Sequence, residues 1–388
     1  MGQPVQEVKC PVYRKCGGCQ LKNLSYERQL QWKQDRCQKL LGKFGKIAPI
    51  LGMEDPTHYR NKVQAAFAFD KRHNKIISGV YQSSSHWVVP VDSCLTEDET
   101  ADRIIVSIRG LLKDFKLTAY DENTGRGFLR HVLVKRGFGT GEVMVVLVTG
   151  TPVFPGKNNF VRALRKLHPE ITTIVQNVND RRTSMVLGER EKVLFGPGTI
   201  TDTLCGCRFR ISPKSFYQIN PKQTEVLYNK AMEFARLTGR ERVLDAYCGT
   251  GTIGIVAAKS GAKEVLGVEV NRDAVRDAIQ NAKDNGVKNI WFTCGDAGEY
   301  MEGLALSGEP WDLVFLDPPR AGASRAFLTA LCSLGPKRAV YISCDPETLA
   351  RDLGILQANH YRVEQIQPVD MFPHTQHIEC VVGLIRTR

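Results

Sequence analysis

Cys344 stands in the run Ile342-Ser343-Cys344-Asp345-Pro346, where an apolar stretch ends and a proline opens the next segment. A thiolate is a strong nucleophile, and a helix N-terminus favours it over the thiol. The commoner role of a cysteine is that of a small buried apolar residue. Most of the twelve cysteines here are expected to be that or to serve elsewhere. Position sets Cys344 apart: it ends a predicted strand and precedes Pro346 and a helix start. Further on, Asp370-Met371-Phe372-Pro373-His374-Thr375-Gln376-His377-Ile378-Glu379 brings a carboxylate to the start of the last apolar stretch. Alone, Glu379 is most simply a solvated charge. Beside a nucleophile it is a general base.

A second constellation is Asp245-Ala246-Tyr247-Cys248-Gly249-Thr250-Gly251-Thr252-Ile253-Gly254. Its glycines let the backbone turn tightly and approach a ligand. The spacing also fits the dinucleotide-binding G-x-G-x-x-G. Asp245 argues against that reading, because a carboxylate opening the loop would repel pyrophosphate. It suits the cationic methionine end of S-adenosylmethionine instead. Glu269 is then placed for ribose hydroxyls and Asp296 for the adenine amine. A third motif, Asp317-Pro318-Pro319-Arg320, has Arg where enzymes that methylate exocyclic amines carry a Tyr to stack on the base, which argues against amine chemistry. A nucleophilic thiol, a carboxylate base and a methyl donor together point to a ring carbon. Uracil C5 becomes enolate-like when a thiolate adds at C6, can then take a methyl group, and must afterwards lose its proton to a base.

These residues need a scaffold, and the pattern from Asn220 onward supplies one. Asn220-Pro221 opens a helix to about Leu237. Apolar strands then alternate with helical segments: 242–247, 264–270, 289–296, 312–319 and 339–345. Such alternation predicts βαβ units in a mostly parallel sheet with helices on both faces. The last strand, 377–386, is expected as an antiparallel addition at the sheet edge. Ligands bind at the carboxyl ends of such strands, which gathers Asp245, Glu269, Asp296, Asp317 and Cys344 around one crevice. Upstream the texture differs. Residues 22–43 read as a helix, 59–91 as strands, 98–116 as a helix, 127–150 as two strands around a Gly-rich turn, and 157–168 as a basic helix followed by further strands. The expected organisation is a central α+β domain over 1–21 and 54–214, a helix over 22–53 packed on the catalytic domain, and a catalytic α/β domain over 215–388.

Length and composition fit this plan. The chain has 388 residues, enough for two or three domains. Its net charge of +12 favours a polyanionic partner, with nucleic acid first among candidates. No run of about 18 apolar residues would span a membrane, and the first residues carry no signal-peptide pattern. A cytoplasmic protein, monomeric by default, is expected. Cysteines in that setting point to metal or catalysis, not to disulfides. Cys10, Cys16 and Cys19 have the spacing C-x5-C-x2-C, and Cys94 is the best candidate for a fourth ligand, ahead of Cys37. Four thiolates hold either a [4Fe–4S] cluster or a zinc ion, and spacing leaves both open.

Taken together, the chain resembles the RNA uracil-5-methyltransferase family, and within it the iron–sulfur 23S rRNA branch. The resemblance rests on Cys10-x5-Cys16-Gly-Gly-Cys19, GFLRHVLVKR (127–136), SFYQINPKQTEVLY (215–228), DAYCGTGTIG (245–254), FLDPPRAG (315–322), YISCDPETLARD (341–352) and MFPHTQHIE (371–379). It implies a class I, Rossmann-like methyltransferase sheet, with Cys344 as nucleophile and Glu379 as base. It implies S-adenosylmethionine contacts from Gln218, Tyr247, Thr252, Glu269, Asp296 and Asp317, and a target uridine flipped out of its stack. It also implies a [4Fe–4S] cluster on Cys10, Cys16, Cys19 and Cys94. The family usually has Asn where Asp345 stands. Only nine residues precede Cys10, so no N-terminal TRAM-type β-barrel is expected. A cysteine cluster without the barrel favours 23S rRNA over the tRNA T-loop. A noncatalytic RNA-binding or ribosome-assembly protein is the alternative of a different class. RNA contacts are expected from a basic hairpin (Arg126, Arg130, His131, Lys135, Arg136) and from Arg60, Lys62, Lys71 and Arg72 around Phe67 and Phe69, with a solvated face over an ordinary core as the bland alternative.

Overall fold

The computed structural model describes residues 10–83 and 85–387. In chain order it comprises α1 (Tyr13–Cys16), α2 (Tyr26–Leu41), β1 (Lys62–Asp70), β2 (Lys75–Tyr81), β3 (Val88–Pro90), α3 (Glu99–Asp114), β4 (Leu129–Arg136), β5 (Val143–Thr149), α4 (Lys157–Leu167), β6 (Ile171–Val178) and β7 (Arg190–Phe195). A hairpin of β8 (Ile200–Leu204) and β9 (Cys207–Ile211) follows. Then come α5 (Pro221–Ala235), β10 (Arg242–Ala246), α6 (Thr252–Lys259), β11 (Glu264–Glu269), α7 (Arg272–Asp284), β12 (Ile290–Cys294), α8 (Ala297–Ser307), β13 (Leu313–Leu316), α9 (Arg325–Leu334), β14 (Arg338–Ser343), α10 (Pro346–Ala358), β15 (Tyr361–Val369) and β16 (Glu379–Arg386). No helix among the described residues is long and apolar enough to cross a membrane.

The chain divides into two compact units. One holds the residues up to Ser25 with Pro56–Thr203 and Ile211–Lys214. The other holds Tyr26–Asp55, Leu204–Arg210 and the chain from Ser215 onward.

In the first unit a seven-stranded sheet runs β3-β2-β1-β4-β5-β6-β7. Its pairs are antiparallel except β5–β6, where α4 makes the crossover that parallel strands need. Asp98 caps α3 by accepting from the Ala101 amide at 3.0 Å. The apolar stripes of α3 (Ile104, Ile108, Leu112) and α4 (Phe160, Leu164) share a core with Val132, Val134, Val145 and Leu147 of the sheet.

In the second unit the order is β12-β11-β10-β13-β14-β16-β15. The five strands from β12 to β14 are parallel, and β16 lies antiparallel between β14 and β15. The last strand is therefore not the edge, as the sequence suggested. β15 takes the edge, and it was not foreseen as a strand. Its sequence carries Arg362, Glu364 and Pro368, residues that an edge strand tolerates and that dilute the apolar signal. α2 belongs to this unit: Cys37 and Leu41 share its core with Leu316, Tyr341 and Leu353. The chain order reverses between β10 and β13, the switch point at which a crevice opens beyond the strand ends.

Candidate active site

The crevice is built from strand ends. β10 delivers Asp245, which is fully buried. Its Oδ2 accepts the Gly254 amide of α6 at 2.8 Å, while Oδ1 has no hydrogen-bond partner. Burial, with Asp317 and Glu269 nearby, pushes this carboxyl up to about 8. The turn that follows is left-handed at Tyr247, Gly249 and Gly251, with φ of 64°, 55° and 80°. A side chain at Gly251 would meet Phe292 at 2.9 Å, whereas nothing lies within 4 Å of the place where a Gly249 Cβ would sit. The turn is thus closed on the sheet side and open at Gly249. Glu269 ends β11 and accepts the Gly249 amide at 3.1 Å and the Asn271 amide at 2.8 Å. Asp296, beyond β12, caps α8 by accepting from Gly298 and Glu299 at 2.8 and 3.1 Å. The Tyr247 ring packs on Phe327 with centroids 5.0 Å apart, and Thr252 Oγ1 lies 2.9 Å from Tyr228 Oη. Gln218 stands outside the sheet, half-buried in the segment leading to α5, whose N-cap is Asn220.

Cys344 and Glu379 are brought side by side by strand register. Ser343 faces Cys380 across the antiparallel β14–β16 pair, so Cys344, just past the end of β14, and Glu379, the first residue of β16, come to the same sheet end, where the Glu379 carboxylate acts on the Cys344 thiol. The Cys344 thiol is pushed up to about 12 by burial and by the Glu379 and Asp317 carboxylates, with Arg320 opposing. Glu379 is buried and held well above the usual carboxylate range by burial and by Asp317, again opposed by Arg320. Burial alone pushes Asp317 up to about 7. The helix that follows does not lower the thiol as the sequence suggested. Asp345 takes up the first amides of α10, at 2.8 Å to Glu347 and 3.4 Å to Thr348, and two carboxyl groups crowd the sulfur. The departure from Asn at this position keeps the cap, since Asp and Asn are equivalent N-caps.

Some supporting residues escaped the sequence reading. Asp352 of α10 accepts from Tyr341 Oη at 2.7 Å and from the Ala323 amide at 2.9 Å, which anchors the loop carrying Asp317 and Arg320. Arg320 Nη2 lies 3.1 Å from His377. Asp352 closes the run YISCDPETLARD (341–352), and nothing in its spacing marks it as an anchor.

In the other unit, Cys10, Cys16 and Cys94 lie within electrostatic reach of Cys19. Burial and the Cys94, Cys16 and Cys10 thiols push Cys19 up to about 12. Burial and Cys10 raise Cys16, and burial raises Cys94. Mutual repulsion between these thiols adds to burial in disfavouring their ionisation. Among the described residues, however, no three His, Cys, Asp or Glu side chains are disposed to hold a metal ion. Cys37 belongs to the core of the other unit, 3.9 Å from Cys380.

The expected basic hairpin is corrected. Arg130, His131 and Lys135 are buried. Arg130 donates to the Asn179 and Arg181 carbonyls at 2.8 and 2.7 Å and lies over the Tyr120 ring. Lys135 donates to the Ser212 carbonyl at 2.8 Å, and Arg136 pairs with Asp98 at 2.6 Å. The reason is topological: β4 is a central strand with both edges paired, so its cations serve internal acceptors. Phe67 is core while Phe69 is half exposed. Arg126, Lys71 and Arg72 are exposed as expected, and further exposed cations sit on α4, where Arg162, Arg165 and Lys166 line a shallow cleft of about 480 Å³.

Residues 187–387 match the family model described as tRNA (uracil-5-)-methyltransferase. An RNA methyltransferase of Halalkalibacterium halodurans is 44% identical over 383 residues, covering 97% of this chain and 83% of that protein. One of Clostridium acetobutylicum is 43% identical over 387 residues, 98% of this chain and 84% of its own. Among solved structures, the Pyrococcus abyssi tRNA (uracil-54, C5)-methyltransferase in complex with S-adenosyl-L-homocysteine superposes with a TM-score of 0.79 at 29% identity. That match covers 95% of this chain and 86% of the other.

Proposed function

This chain belongs to the tRNA (uracil-5-)-methyltransferase family, and we propose that it methylates C5 of a uridine in RNA through a covalent bond between Cys344 and uracil C6. The reading is carried by one observation, the β14–β16 register that ends at Ser343 and Cys380 and so brings Cys344 within electrostatic reach of Glu379. S-adenosylmethionine supplies the methyl group and leaves as S-adenosylhomocysteine, the bonding pair staying on sulfur. The residues suited to hold it are Asp245, Tyr247, Thr252, Glu269, Asp296 and Asp317, with Gln218 from the segment before α5. Four carboxyl groups, with Oδ1 of Asp245 left unpartnered, line this crevice, and a ligand bearing a sulfonium and an ammonium would favour the ionised form of the buried pair Asp245 and Asp317.

Cys344, as the thiolate, adds to C6, and the C5–C6 π pair moves onto C5 and O4. C5 takes the methyl group and then carries both hydrogen and methyl. Glu379, as the carboxylate, removes the C5 proton. The C–H pair re-forms the C5–C6 π bond while the Cys344 sulfur departs with the C6–S pair. Arg320 is the cation that assists both ionisations, since it opposes the upward shift of Cys344 and of Glu379.

For the substrate we propose a 23S rRNA uridine. The support is the C-x5-C-x2-C segment together with Cys94, which would hold a [4Fe–4S] cluster, or zinc as the alternative, and tie the N-terminal segment to its unit. A tRNA uridine is the second reading. It is favoured by the Pyrococcus abyssi relative, which acts on tRNA and shares its architecture over 95% of this chain. RNA phosphates are assigned to the exposed cations of α4. Mass-spectrometric mapping of 5-methyluridine in 23S rRNA and tRNA, from cells with and without the gene, tests the reading. Loss at one 23S uridine is expected. Loss from tRNA moves the substrate and keeps the chemistry, and loss from neither pool contradicts both.

A further inference from the structure

Helix α2 stands hundreds of residues from Glu379 in sequence, yet one face of it grips the loop that leads to that residue. Tyr26, Gln29 and Lys33 are spaced i, i+3 and i+7, which puts them on one side of a helix. Lys33 Nζ pairs with Asp370 Oδ1 at 2.5 Å and donates to the Phe372 carbonyl at 3.1 Å. Tyr26 Oη donates to Asp370 Oδ2 at 2.9 Å. Gln29 accepts the His374 amide at 2.9 Å, and its Nε2 lies 3.2 Å from His374 Nδ1. From the other side, Asn220 Nδ2 donates to the Met371 carbonyl at 2.8 Å and Gln223 Nε2 to the Asp370 carbonyl at 3.1 Å. His374 is held at φ of 69°, in the left-handed region.

Both members of the Lys33–Asp370 pair are fully buried. Such a pair is a poor device for stability, because desolvating two charges offsets their attraction and apolar residues of like volume do as well. It is a good device for fixing one geometry. What it fixes here is a nine-residue span between Val369 of β15 and Glu379 of β16. Along that span His377 meets Arg320, and at its end Glu379 meets Cys344.

We propose that Tyr26, Gln29 and Lys33 are positioning residues for the proton-removal step: through Asp370, Phe372 and His374 they set the carboxylate of Glu379 against the uracil–Cys344 adduct. This rests on the function proposed above. The clamp touches neither cofactor nor nucleophile, so its loss should spare adduct formation and methyl transfer. It should slow only the release of methylated RNA, and a misplacement of about 1 Å is enough to cost tenfold or more in that step.

The test uses the full chain with S-adenosylmethionine and unmodified 23S rRNA and tRNA transcripts, taking whichever the wild type methylates. Three proteins are compared with wild type: Glu379→Gln, Gln29→Ala, and Lys33→Met combined with Asp370→Leu. The last removes both buried charges together and so keeps the fold. Adduct formation and release are timed separately on denaturing gels, with melting curves alongside. The expected result is a methylated protein–RNA adduct that persists in all three. Release should fall by about tenfold or more while formation stays within about threefold of wild type. Release at the wild-type rate in the two clamp variants, while Glu379→Gln still traps the adduct, overturns the clamp alone. So does a parallel fall of formation and release that follows lost folded protein. Failure of Glu379→Gln itself to trap an adduct overturns the assignment of the base, and the clamp with it.

Discussion

Three acids in one crevice, Asp245, Asp317 and Glu379, keep their protons to higher pH than free carboxyls do. The cause is burial first and mutual repulsion second for Asp245 and Glu379, and burial for Asp317. This has a consequence for stability. Between the ordinary carboxyl range near 4 and the values of about 7 and 8 for Asp317 and Asp245, the folded chain binds protons that the unfolded chain has released. Stability contributed by these groups is therefore full at low pH and is lost as pH rises through that window. The ligand-free protein is expected to melt lower at pH 8.5 than at pH 6. Asp245→Asn should flatten the slope, and S-adenosylmethionine should raise the melting point most at the higher pH. Differential scanning calorimetry checks all three, and an Asp245→Asn protein with an unchanged slope would contradict the argument. The same crowding gives Arg320 its use: the thiol stands at about 12 even with this cation opposing the shift, and would ionise still less without it.

At the scale of elements, the β14–β16 pair does what spacing in the sequence cannot. Cys344 and Glu379 are each legible as chemistry-bearing residues at strand ends. That they are neighbours is not, because it depends on which strand β16 pairs with and in which register. β15 was hidden by its polar residues. The parallel strands were legible because apolar runs alternate with helices of regular length. The hairpin cations misled for a related reason: charge pattern reports no burial, and β4 proved central. Helix α4 carries the opposite case, with no acid in its sequence and Arg162 and Lys166 exposed. Changing both to Glu is expected to weaken RNA binding about tenfold at low salt and to flatten its salt dependence, since each phosphate contact releases counterions. Filter binding across a salt series measures this, with turnover at saturating RNA unchanged. Equal affinity and equal slope would remove α4 from the RNA surface.

For the molecule as a whole, each unit has its own seven-stranded sheet and core, and the chemistry-bearing residues of the crevice all lie in one of them. The other unit has Cys10, Cys16 and Cys94 within electrostatic reach of Cys19, and the cluster proposed for them is tested by composition. Protein purified without oxygen is expected to be brown, with iron and sulfide near four per chain, and to lose both colour and iron in Cys19→Ser. Elemental analysis finding one zinc instead would replace the cluster by its alternative, and metal-free protein of normal stability would contradict both.

The central claim is the bond between Cys344 and uracil C6, and it can be seen directly. In RNA made with 5-fluorouridine, C5 carries fluorine where the base would need a proton, so the covalent intermediate is methylated but cannot resolve. Incubation of such RNA with the enzyme and S-adenosylmethionine, followed by nuclease and protease digestion and tandem mass spectrometry, reads the site of linkage. The account predicts a single cross-linked peptide in which Cys344 carries a methylated fluorouridine, absent from Cys344→Ala. Linkage at another cysteine, or methylation of ordinary RNA by Cys344→Ala, would contradict it.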